Sequence, residues 1–72
     1  MNQNELQFAV FCIESIAEHL QTNGANVYTK LTAESDLMDQ YIIPFYDALH
    51  TQSKEYIVAD IVGIMQKEGL AP

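Results

Sequence analysis

Chemistry in this chain is concentrated in one short run. Tyr46, Asp47, Ala48, Leu49, His50 and Thr51 set a phenol, a carboxylate, an imidazole and a hydroxyl close together. On a helix, Tyr46 and His50 stand at i and i+4, and Asp47 and His50 at i and i+3, so both pairs are within reach of each other. A carboxylate beside a histidine favours the imidazolium and fixes which ring nitrogen carries the proton. Those are ingredients of general acid–base catalysis. The rest of a reaction centre is absent from the sequence. No serine or cysteine nucleophile stands at a characteristic spacing, no glycine-rich loop offers to hold phosphate, and there is no arginine to clamp an anion. The same residues also make a polar joint. His50 would sit near the C-terminal end of its helix, where the dipole favours positive charge. Thr51 and Ser53 would then bond across the turn into the next helix. A third reading makes the run a recognition surface.

Metal binding has little support. The candidate ligands are Cys12, His19 and His50, with scattered acids, and no pair has the close spacing of a zinc site. Cys12 falls on an apolar face and reads as a small buried hydrophobe. No cofactor is implied.

Helices must position this run. The first is expected from about Glu5 to Gln21, with Asn4 as N-cap. Leu6, Ala9, Val10, Cys12, Ile13, Ile16, Ala17 and Leu20 fill an arc of about 160° on it, with Gln7, Glu14 and Glu18 opposite. Phe8 falls just beyond one edge of the arc, and Phe11 falls among the glutamates. Thr22-Asn23-Gly24 stops the helix, Asn23 or Gly24 taking a left-handed conformation. A short second helix runs from Ala25 or Asn26 to near Ala33, burying Val27, Leu31 and Tyr28. Glu34-Ser35-Asp36 reads as a turn with a capping residue. A third helix from about Leu37 to His50 is interrupted by Pro44, whose ring would meet the carbonyl of Gln40 and which donates no hydrogen bond. The expected outcome is a break, one piece ending near Ile42 and the next carrying Pro44 in its first turn. The last helix spans Lys54 to about Glu68, capped by Ser53 and ended by Gly69. Ile57, Val58, Ile61, Val62, Ile64 and Met65 form its apolar arc, with Tyr56 outside it beside Asp60. The expected fold is all-α, a compact bundle of three to four helices in a single domain, with the third helix broken or kinked near Pro44.

The chain has 72 residues, 49% of them hydrophobic, including three phenylalanines and four tyrosines. A core this small cannot enclose all of that, so part is expected outside, facing a protein partner or a second copy. Phe11 is the candidate interface anchor, because aromatic residues are common anchors, and Phe8 either joins it or fills a gap where helices cross. Ten acids against three lysines give a net charge of −7. Nucleic acid and anionic membrane surfaces would be repelled, and a basic protein is the natural complement. No apolar run approaches the roughly 20 residues that span a bilayer. A lone cysteine and no basic leader before an apolar run point to a reducing compartment, the cytoplasm.

Three stretches, "FAVFCIESIAEHL", "VYTKL" and "DQYIIPFYDALHTQSKEYIVADIVGIMQKEGL", together resemble a family of short bacterial helical domains of unknown function. Its marks are a Y-D-x-L-H-T run, here Tyr46, Asp47, Leu49, His50 and Thr51, and a following helix with Asp60-Ile61. The resemblance covers Phe8 to Gly69. Pro44 departs from the pattern, which puts the helix break in this chain rather than in the family. Some members are encoded beside a domain like an ADP-ribosyltransferase toxin, so the resemblance implies an antitoxin or accessory subunit. The expected function is a non-enzymatic protein–protein interaction module whose defining cluster is Tyr46, Asp47, His50 and Thr51, with Tyr56 and Asp60 close by. The alternative is a self-associating structural domain. A third, more distant, is a small enzyme using Asp47 and His50.

Overall fold

A computed structural model describes residues 1–70. Its elements are α1 (Gln3–Leu20), α2 (Gly24–Thr32), a single π-helical turn (Met38–Ile42), α3 (Tyr46–Leu49) and α4 (Lys54–Lys67). No strand is present among the described residues, so the fold is all-α. Three long helices carry it, and a short one and the π-turn connect the second to the last.

Local sequence explains each boundary, with two corrections. Asn2, not Asn4, caps α1: its side chain accepts from the Glu5 backbone at 2.7 Å while Glu5 returns a bond to the Asn2 backbone at 2.9 Å. Glu5 at the third helical position closes this reciprocal box on Asn2, and its carboxylate also suits the positive end of the helix dipole. The left-handed residue after α1 is Gln21 (φ 56°), while Asn23 turns to cap α2. Ser53 caps α4 by accepting from the Tyr56 backbone, and Gly69 (φ 75°) follows its end.

The interruption at Pro44 takes a specific form. Ile43 N–H bonds back five residues to Met38 at 3.0 Å, and Phe45 N–H bonds back four to Tyr41 at 3.0 Å. Between them Pro44 has no donor to offer Gln40. The turn widens at that point, making room for the ring where α geometry would clash. Pro44 itself lies ahead of α3 rather than in its first turn, and Phe45 takes the N-cap position.

α1 packs against both α2 and α4. Cys12 and Ile16 from α1, Val27 and Leu31 from α2, Ile42 from the π-turn, and Ile61 and Met65 from α4 are all essentially inaccessible. Each such aliphatic side chain contributes about 1.5–3 kcal/mol by leaving water. The radius of gyration, 10.9 Å, agrees with about 11 Å for a folded chain of this length. Three apolar residues depart from expectation. Leu6, Val10 and Tyr28 are exposed, lining an open groove between α1, α2 and the π-turn. Gly63, midway along α4 and half-buried, has open space where a side chain would be.

Candidate partner-binding surface

α3 is one turn long, and Leu49 is its only buried residue. That single anchor turns Asp47, Ala48 and His50 to solvent and leaves Tyr46 half-buried. His50 ends the helix. Its backbone N–H donates to the Tyr46 carbonyl at 2.9 Å, and its Nδ1 lies 2.8 Å from the same oxygen. A carbonyl only accepts, so Nδ1 carries the hydrogen and Nε2 faces outward. The ring stacks on that of Tyr46 at 4.4 Å, with planes 10° apart. Thr51 Oγ1 donates to the Ala48 carbonyl at 2.9 Å. Thr51 therefore satisfies a carbonyl that the helix end leaves unpaired, and His50 adds a second bond to the Tyr46 carbonyl.

Asp47 takes no part in this arrangement. It is exposed, and neither a hydrogen bond nor an ion pair joins it to His50 among the described residues. The i, i+3 proximity that the sequence suggested does not become a dyad, because His50 Nδ1 is committed to Tyr46.

Tyr46 extends the group into α1. Its ring meets Phe8 edge-on at 5.4 Å, and Phe8 lies alongside Phe11 at 6.3 Å. Phe8 is buried, whereas Phe11 is 40% exposed. His50, Tyr46, Phe8 and Phe11 thus form one aromatic row, wet at both ends and dry in the middle. Phe11 opens on a groove shared with Glu14, Ser15, Glu18 and Lys54, and Lys54 pairs with Glu18 at 3.1 Å.

Tyr56 and Asp60 belong to a second group. Asp60 accepts a hydrogen bond from the hydroxyl of Tyr41. That bond, then partial burial and the charge of Asp60, push the Tyr41 phenol up to about 12. Tyr41 also packs its ring on Phe45 at 5.2 Å, and Phe45 is exposed. Tyr56, one turn before Asp60, is exposed. In the sequence Tyr41 and Phe45 stand only as apolar positions on either side of Pro44, and a tie across nineteen residues leaves no local signal.

Cys12 is fully buried, and burial pushes its thiol up to about 12. No three His, Cys, Asp or Glu side chains among the described residues gather closely enough to hold a metal ion. No helix among them is long and apolar enough to cross a membrane.

Fold and surface together define a small all-α domain with two aromatic groups at its surface and a surplus of negative charge. Residues 7–68 match the model of the DUF3791 family, described as a protein of unknown function, and the chain belongs to that family. The matched span contains both aromatic groups. No curated protein and no solved structure matches the chain.

Proposed function

We propose that this chain is a non-enzymatic protein–protein interaction module, and that it serves as the antitoxin or accessory partner of a toxin-like enzyme in the cytoplasm. The observation that carries the interaction role is Phe11, 40% exposed among Glu14 and Glu18 and backed by buried Phe8. An aromatic ring held rigidly at the surface loses little entropy on binding and anchors interfaces well. The surrounding carboxylates and the net charge of −7 favour a basic partner and would speed its approach. The antitoxin role rests on the Y-D-x-L-H-T run and on the ADP-ribosyltransferase-like neighbours of the proteins it resembles. Buried Cys12, a free thiol, suits a reducing compartment.

Co-expression with the product of the adjacent gene tests the proposal. The two should co-purify, and Phe11→Ser should abolish the complex while leaving the helical circular dichroism intact. A pair that separates on the first column, with the module folded, sinks the antitoxin reading. Self-association is the second reading, favoured by the number of exposed apolar side chains. Sedimentation across a wide concentration range separates the two, a strict monomer removing the second.

A further inference from the structure

Leu6, Val10, Ile13 and Ala17 form one stripe along α1, at i, i+4, i+7 and i+11. α2 covers its later end. Ala17 is buried, and the backbone of Gly24 comes so near Ile13 that an added Cβ would sit 3.5 Å from its Cγ2. The earlier end lies open, with Leu6 53% and Val10 44% exposed. There α1, Tyr28 of α2 and Met38 of the π-turn enclose a groove of about 420 Å³. The stripe is patterned for burial, yet the described residues cover only half of it. From Leu6 to Ile13 it runs about 10 Å, two turns of helix.

Charge selects what covers it. Asp39 is the only charged side chain lining the groove, and none of the three lysines does so. Lys30 pairs with Glu34, Lys54 with Glu18, and Lys67 lies in the last turn of α4. A second copy would bring −7 against −7. We propose that the groove seats an amphipathic helix of another protein, with an apolar stripe flanked by lysine or arginine. It shares no lining residue with the groove at Phe11, so this inference goes beyond the reading above and stands or falls separately.

Two synthetic helices of about 18 residues, or five turns, test it. Both carry a leucine stripe; one has lysine at every other position, the other glutamate. Each is titrated into the full isotope-labelled chain and followed by amide chemical shifts. The lysine helix should shift Leu6, Val10, Tyr28 and Met38 and spare Phe11, weakening as salt is raised. The glutamate helix should not bind. The double variant Leu6→Gln, Val10→Gln replaces exposed positions with a good helix former. It should keep its melting temperature and bind about tenfold more weakly or worse. Equal binding of both helices, shifts scattered over the acidic surface, or affinity unchanged in the double variant would overturn the proposal. So would silence up to about 1 mM peptide, a threshold that still detects weak complexes. Shifts confined to Phe11 and its neighbours would overturn the groove assignment and leave the Phe11 surface standing. Groove shifts that depend on protein concentration alone would overturn it too, assigning the face to a second copy.

Discussion

Tyr41 donates its hydroxyl hydrogen to the carboxylate of Asp60, joining the π-turn to the middle of α4 across nineteen residues of chain. The contact lets a half-buried phenol pack on Phe45 without leaving its hydroxyl unpaired. Tyr41→Phe should cost about 1–2 kcal/mol, the range for a hydrogen bond to a charged group partly open to water. Stability should also fall with alkali. Below about pH 10 folded and unfolded chains both keep this proton, and the bond contributes in full. Between 10 and about 12 the unfolded chain loses a proton that the folded chain holds, so stability falls as pH rises through that window. Denaturant melts at rising pH check this. An equal alkaline slope in Tyr41→Phe would show that the pair contributes none of it.

Phe8 and Phe11 are stacked neighbours with opposite surroundings, and substitution should separate them. Phe8→Ala removes a buried ring and should cost about 3–5 kcal/mol. Phe11→Ser removes an exposed one and should cost about 1 kcal/mol, mostly the lost ring contact. Urea midpoints measured side by side decide it. Comparable losses would place Phe11 in the core and withdraw it as an anchor.

The Cys12 thiol should be nearly inert. Its raised pKa leaves almost no thiolate at pH 8, and its burial blocks reagents. Modification by an aromatic disulfide should be about a thousandfold slower than for a free thiol, recovering when urea unfolds the chain. Rapid labelling in native buffer would mean that the α1 face opens easily.

His50→Ala tests the joint between α3 and α4. It removes the stack on Tyr46 and the Nδ1 bond to the Tyr46 carbonyl, together about 1 kcal/mol for an exposed group. The melting temperature should drop by about 4–8 °C. An unchanged melt combined with lost partner binding would make the run a recognition patch instead.

How much of this the sequence disclosed depends on the range of each interaction. Ser53 and Gly69 were readable because capping acts within a turn, and the apolar arc of α4 because its partners surround it. The cap at Asn2 rather than Asn4 was not decided locally, since Glu5 stands three places after Asn2 and Gln7 three places after Asn4, and either can close a capping box. Leu6 and Val10 have the period of core residues. Periodicity reports which face a helix would bury, not whether its neighbours close over all of it. Pro44 announced an interruption, yet not that the chain would absorb it by widening one turn. At the candidate surface, the Tyr46–His50 stack followed from i, i+4 spacing. The aromatic row through Phe8 and the link from Tyr41 to Asp60 did not, since both depend on how separate helices cross.

Gly63 has a consequence for how this molecule tolerates change. It lies on the same side of α4 as Tyr56 and Asp60, and a methyl group placed there meets no atom within 4 Å. Alanine should therefore raise stability by about 0.5–1 kcal/mol through helix preference alone. The domain thus sits below the stability its own backbone permits. If Gly63→Ala strengthens the fold while loosening a complex, another polypeptide runs over that bare stretch of main chain.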